Sequence, residues 1–201
     1  MLEREIYLAS ASPRRHELLK QIGVKHRILI APSPPGEDEP LLPGETPEDY
    51  VMRTATEKSD RALAWIEHQS LPSLPVLTAD TTVALNHVIL GKPNSLEDAK
   101  HMLGKLSGQT HNVYTAVTLT FDTHRISTLS KTEVTFAKLS LEDIESYCQS
   151  NEPWGKAGAY GIQALAALFV ENINGSYSGV VGLPIYETGQ LLKKLSNSPC
   201  S

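Results

Sequence analysis

Ile6-Tyr7-Leu8-Ala9-Ser10-Ala11-Ser12-Pro13-Arg14-Arg15 is the stretch from which the rest of the chain can be read. Ile6 to Ala9 reads as a short buried strand. Ser12 is a good N-cap residue, Pro13 suits the first helical position, and Glu17 to Ile22 continue an amphipathic helix that Gly23 stops. A strand passing directly into a helix opens an α/β unit. The two arginines are the anomaly. The first turn of a helix carries the positive end of the backbone dipole and normally favours Asp or Glu. Either Arg14 and Arg15 point into water, or they converge with the open backbone N–H groups and the hydroxyls of Ser10 and Ser12 on an anion, making a phosphate or carboxylate cradle.

Further along, the same alternation continues. Thr46-Pro47-Glu48-Asp49 opens a long helix in capping-box style, predicted to run to about His68 with Tyr50, Val51, Ala55, Ala62, Ile66 and also Lys58 on its inner side. Pro75 to Ala79 reads as a buried strand, followed by a hairpin through Asn86-His87 into Val88-Ile89-Leu90. Ser95 caps a helix ending near Gly108. Strands are predicted over His111 to Phe121 and Arg125 to Ala137, and Ser140 caps a short helix to about Gln149. Strand-like segments follow at Ala167 to Val170 and Val180 to Leu183, then a final helix from Pro184 to about Leu195. Helices alternating with strands and hairpins predict an α/β fold with a mixed sheet flanked by helices. Pro32, Pro34, Pro35, Pro40 and Pro43, mixed with Glu37, Asp38 and Glu39, mark an irregular acidic loop.

The bulk properties narrow the function. A chain of 201 residues at 40% hydrophobic composition can bury a full core as one unit. No apolar run approaches the roughly 20 residues that span a bilayer, and no signal-peptide pattern precedes the first strand, so the cytoplasm is the expected compartment. Cys148 and Cys200 lack CxxC spacing, and the seven histidines show no HxxxH or HExxH pattern. A net charge of −5 argues against a broad nucleic-acid-binding face, so a polyanion must be met by a local pocket of positive charge.

Asp80 lies in an apolar segment, where a carboxylate is costly unless it is paired, hydrogen-bonded or on a metal; a turn role at a strand end is the alternative. Lys58, Lys92 of Gly91-Lys92-Pro93, and the Arg14-Arg15 pair could converge on it, although each lysine could equally be solvated. Phosphoryl chemistry needs cations for the non-bridging oxygens and a carboxylate to hold a divalent ion or activate water. Together these residues resemble a triphosphate site, with Glu39 as a second acidic ligand or a solvated charge. No GxxxxGK[ST] or GxGxxG pattern occurs. In Gly155-Lys156-Ala157-Gly158-Ala159-Tyr160-Gly161-Ile162-Gln163, the Gln163 amide could read a pyrimidine edge, or simply satisfy loop backbone.

Taken together, Ser10-Ala11-Ser12-Pro13-Arg14-Arg15, Ala79-Asp80-Thr81, Gly91-Lys92-Pro93, Leu106-Ser107-Gly108 with His111, Lys156 through Gln163, and Gly175-Ser176-Tyr177 through Gly182-Leu183-Pro184 resemble the Maf family of nucleotide pyrophosphatases, in order and over nearly the whole chain. The Ala-Tyr-Gly-Ile-Gln run looks like the subgroup acting on dTTP and UTP. The resemblance implies one Maf-like domain over residues 1–201 with two lobes and a central cleft. It also implies hydrolysis of a nucleoside triphosphate to monophosphate and pyrophosphate, a divalent metal cation (Mg, Mn or Co), and a homodimer. Carried onto this sequence, Asp80 becomes the proton acceptor, and Arg14, Thr81 and Gln163 the positions tied to substrate preference. Arg15, Lys58 and Lys92 become phosphate contacts, and Glu39 the acidic partner of Asp80 at the metal. Three departures stand out: Gly155 where Asp is frequent, Ala164 where Gly is usual, and an apparent insertion at Pro32 to Gly36. The competing reading is a non-catalytic nucleotide-binding regulator linked to cell division. Asp80 separates the two, because a binding module gains nothing from a carboxylate beside a polyanion unless a metal intervenes, whereas a hydrolase needs one.

Overall fold

The computed structural model describes residues 4–33 and 39–197. Pro34 to Asp38, which include much of the apparent insertion, lie outside the described residues, as does Cys200. The elements in chain order are β1 (Ile6–Leu8), α1 (Pro13–Gln21), β2 (His26–Ile28), α2 (Pro47–His68), β3 (Val76–Leu85), β4 (Val88–Leu90), α3 (Leu96–Leu106), β5 (Thr110–Phe121), β6 (His124–Phe136), α4 (Leu141–Gln149), β7 (Val170–Asn174), α5 (Tyr177–Val181) and α6 (Ile185–Asn197). They form one seven-stranded mixed sheet in the order β2-β1-β3-β5-β6-β7, with β4 added to β3. No helix among the described residues is long and apolar enough to cross a membrane.

Strand β3 organises the molecule. Its antiparallel partner β5 pairs with it from Val76 to Ala84. The opposite edge is shared: β1 takes Val76 and Leu77 in parallel, and β4 takes Val83 to Leu85 antiparallel. Between these two partners, around Asp80 and Thr81, that edge has no paired strand among the described residues, and the sheet opens there.

Side chains of β3 alternate between the two faces, as a period of two requires. On one face Val76 and Ala84 join the clusters under α2, and the Thr78 hydroxyl donates to the Ala55 carbonyl at 2.8 Å. On the other, Leu77, Ala79 and Val83 enter the main core with residues of α3, α4 and α6. Asp80 therefore faces α2 and Thr81 the opposite side. Helix α2 starts where the sequence predicts, with the Thr46 hydroxyl accepting from the Asp49 N–H, and it buries Val51, Thr54, Ala55, Ser59, Ala62 and Ile66.

The structure revises several expected elements. β3 continues through Asp80 to Leu85 instead of ending near Ala79, because Thr81-Thr82-Val83 are strand formers with a full ladder available on β5. Val180 to Leu183 is not a strand: Val180 and Val181 end α5, whose first turn is capped by Ser176, and Gly182 turns the chain at φ +127°. The strand expected near Ala167 is a 3-10 turn over Leu165–Phe169, with β7 following it. A short buried apolar run does not distinguish strand from helix end.

Candidate active site

The opening in the β3 edge is a cleft of about 500 Å³, within the range of small-molecule sites. The start of α1, the segment after β2, Glu39, α2, the centre of β3, Lys92, the glycine-rich loop and Gly182 all contribute to its walls. All the site residues expected from the sequence line it: Ser10, Ser12, Arg14, Arg15, Glu39, Lys58, Asp80, Thr81, Lys92 and Gln163.

Asp80 sits at its floor, only 5% exposed. Thr54 and Lys58 are one helical turn apart on α2 and so share a face. The Thr54 hydroxyl donates to Asp80 Oδ2 at 2.8 Å, and Lys58 Nζ donates to Asp80 Oδ1 at 2.6 Å. Burial works to raise the Asp80 pKa, but the Lys58 ammonium, the nearby Arg15 and the Thr54 hydroxyl together hold it below the usual carboxylate value. Asp80 is an anion at neutral pH.

Lys58 also pairs with the Glu39 carboxylate, so two acids converge on one ammonium. Helix α2 delivers Glu39 as well. Tyr50 donates its hydroxyl to the Glu39 carbonyl at 3.1 Å, while Arg53 donates to the Pro40 carbonyl at 2.8 Å and forms an ion pair with Glu45 at 2.6 Å. Glu39 is thus held at the same ammonium that Asp80 engages. Among the described residues no three His, Cys, Asp or Glu side chains gather as a metal cage. The pair fits a Mg-type ion all the same, because such ions are held by one or two carboxylates with substrate phosphates completing the shell.

The two arginines behave differently. Arg15 is half-buried and donates Nε to the Gly182 carbonyl at 2.8 Å, Nη1 to Ser10 Oγ at 3.2 Å and Nη2 to Thr81 Oγ1 at 3.2 Å. Burial pulls its pKa below the ordinary arginine value, against the pull of Asp80 and Glu39. Arg14 makes no hydrogen bond or ion pair to any described residue while lining the same cleft. Ser12 occupies the N-cap position, yet its side chain caps no N–H; Ser10 Oγ instead accepts from the Ser12 N–H at 3.2 Å. The helix start is thus left open beside the arginines, as an anion site requires.

Across the cleft, the glycine-rich loop is pinned from behind. Gly158 adopts φ +68° and donates its N–H to the Gly91 carbonyl at 3.0 Å, and any Cβ there would press on Val83. The Tyr160 hydroxyl meets His111 Nε2 at 2.8 Å. His111 is fully buried, and burial pushes its pKa down to about 4. This anchoring leaves Gln163 exposed in the cleft wall, its amide making no hydrogen bond to any described residue. Lys92 is likewise exposed and carries no ion pair among the described residues.

Residues not assigned a role from the sequence also line the cleft. Trp154, 41% exposed, precedes the loop, and Lys156 crosses it with its stem against Gly161 and its ammonium on the Glu152 carbonyl. Burial, then the proximity of Arg14, lowers the Lys156 pKa. Thr54 had a legible signal, four residues before Lys58 on the same helix face. Trp154 had none beyond adjacency to the glycines.

Comparison with known proteins covers the stretch of chain that holds these residues. A family model described as Maf-like protein matches residues 5–195. The chain is 53% identical over 189 residues to a dTTP/UTP pyrophosphatase of Bordetella avium, covering 94% of each chain. It is 55% identical over 188 residues to the dTTP/UTP pyrophosphatase of Bordetella pertussis, covering 94% of this chain and 91% of that one. It is 53% identical over 193 residues to the one of Nitrosomonas europaea, covering 94% and 93%. With its core, cleft and matched residues all inside one continuous region of likeness, this chain belongs to the Maf family.

Proposed function

We propose that the chain is a nucleoside triphosphate pyrophosphatase that hydrolyses dTTP and UTP to the monophosphate and pyrophosphate. The observation that carries this reading is the Asp80 anion at the floor of a cleft whose other charged walls are largely cationic. Such a carboxylate repels a triphosphate and is justified by chemistry. Names borne by relatives above 50% identity agree with it.

In this reading Arg14, the uncommitted part of the Arg15 fork, Lys58 and Lys92 take the phosphate oxygens, with Ser10 and Ser12 beside them. Water attacks the α-phosphorus, Asp80 accepts its proton, the bond to the α,β-bridging oxygen breaks, and pyrophosphate departs with the electron pair. The negative charge of the bound triphosphate offsets the cations that hold the Asp80 pKa down, so the carboxylate gains basicity when substrate is present. Asp80 and Glu39 would hold a divalent ion (Mg, Mn or Co), whose contribution when bound is Lewis-acid neutralisation of phosphate charge. Gln163, free to donate and accept at once, reads the imide edge shared by uracil and thymine. Thr81 influences preference through Arg15, which it touches. The cytoplasmic nucleotide pool and a homodimer are the setting and assembly that go with the family resemblance.

The test is incubation with each common triphosphate plus magnesium or manganese, with detection of pyrophosphate. Release from dTTP and UTP ahead of the purines supports the reading. Absence of pyrophosphate from every triphosphate, with nucleotide still bound, would leave a binding protein.

A further inference from the structure

A second line of hydrogen bonds runs from the cleft into the sheet, and its direction can be worked out atom by atom. Thr115, fully buried on β5, donates its hydroxyl to the Gly179 carbonyl at 2.8 Å, because a carbonyl can only accept. Its hydroxyl proton is thereby spent. At the 3.0 Å contact between Thr115 and Thr81 hydroxyls, Thr81 must be the donor. The Thr81 oxygen in turn accepts from Arg15 Nη2 at 3.2 Å. The chain therefore has one polarity: Arg15 to Thr81 to Thr115 to the Gly179 carbonyl. The other grip on the fork comes from the same segment, where the Gly182 carbonyl accepts from Arg15 Nε. Gly182 holds φ +127°, a conformation that side chains rarely adopt. Both ends of the clamp thus close on α5 and the turn after it.

We infer that Thr115 is a positioning residue for Arg15: by orienting the Thr81 hydroxyl, it fixes the plane of the guanidinium and so which N–H groups face a phosphate. Thr115 does not itself line the cleft. A planar fork serves a phosphate only when its plane is set beforehand: the Gly182 carbonyl and Ser10 Oγ hold Nε and Nη1, and the oriented Thr81 oxygen completes the clamp at Nη2. The polarity also means that the Thr81 proton is committed inward, so Thr81 meets a ligand only as an acceptor or through Arg15.

The kinetic arm of the test rests on the proposed pyrophosphatase activity, and the spectroscopic arm does not. In the unaltered protein, NMR should show the Thr115 hydroxyl proton and the Arg15 Nη2–H protected from solvent exchange. Free exchange at both would overturn the relay without any variant being made. Thr115→Val keeps the shape and loses the hydroxyl; kcat/KM for dTTP per folded molecule should fall roughly ten-fold, and Thr115→Ser should restore it. In an Arg15→Ala background, Thr115→Val should change kcat/KM no further, because its effect passes through the missing guanidinium. Equal losses in both backgrounds, or failure of Thr115→Ser to rescue, would make Thr115 merely structural. Should the unaltered protein leave dTTP and UTP intact, the functional reading fails, and the exchange of the Arg15 Nη2–H in Thr115→Val against Thr115→Ser still decides the inference.

Discussion

Asp80→Asn separates chemistry from architecture better than any other single change. Asn is nearly isosteric and keeps an oxygen for the Thr54 hydroxyl, so the 2.8 Å contact can survive. What disappears is the negative charge under Lys58. Removing one partner from a sealed ion pair costs about 3–5 kcal/mol, chiefly by stranding the other charge. Lys58 is not stranded: its side chain is 19% exposed and Glu39 remains on it. The burial cost of the Asp80 carboxylate is also relieved. The expected loss of stability is therefore smaller, about 1–2 kcal/mol, and the variant stays folded. Turnover should fall far more, by about 100-fold or greater, equivalent to about 2.7 kcal/mol or more on the barrier. Triphosphate binding should hold or tighten, since a repelling charge has gone. The assay is steady-state pyrophosphate release beside calorimetric binding of a non-hydrolysable dTTP analogue and a melting curve. Near-normal turnover would refute the role of Asp80, and a collapse of the melting temperature that accounts for all lost activity would make it structural.

Arg14→Ala should lower kcat/KM with the melting point nearly unchanged, whereas Arg15→Ala should also destabilise by about 1–3 kcal/mol through the buried acceptors it abandons; equal melting points for the two would contradict their different bonding. Gln163→Ala should reduce a preference of roughly 5- to 150-fold for UTP and dTTP over CTP, mainly by slowing the favoured pair, and an unchanged ratio in kcat/KM would remove Gln163 from base reading. His111 titrates at about 4 when folded against an ordinary 6.5, so the unfolded chain binds more protons between those values. Stability at this site is full above pH 6.5 and is lost as pH falls toward 4, by about 3 kcal/mol in all. Replacing His111 with Gln should flatten that part of the melting-point profile; an identical profile would place the acid sensitivity elsewhere.

How far the sequence carried can be seen at single residues. Helix α2 was legible from Thr46-Pro47-Glu48-Asp49 because capping chemistry is local, and Lys58 on its inner face followed from periodicity alone. The misplaced arginines stand out by violating a local preference, and the structure brings both of them to the cleft. Asp80 was legible as chemically expensive, but its place in mid-strand was not: the gap in the β3 edge exists because β1 and β4, far apart in sequence, share that edge. The division of labour between Arg14 and Arg15 depends on the Gly182 carbonyl, brought in from the far end of the chain, and no spacing rule reports such a contact. Val180 to Leu183 misled because three apolar residues around a glycine carry no period, while Ser176 and Gly182 impose a helical turn and its stop. Local capping was readable; long-range closure of the cleft was not.

The central claim is that water attacks the α-phosphorus with Asp80 as proton acceptor. It is tested most directly by hydrolysing dTTP in water enriched in oxygen-18 and weighing the products. The account predicts one heavy oxygen in the thymidine monophosphate and none in the pyrophosphate. Label in the pyrophosphate, or release of orthophosphate in its place, would contradict it.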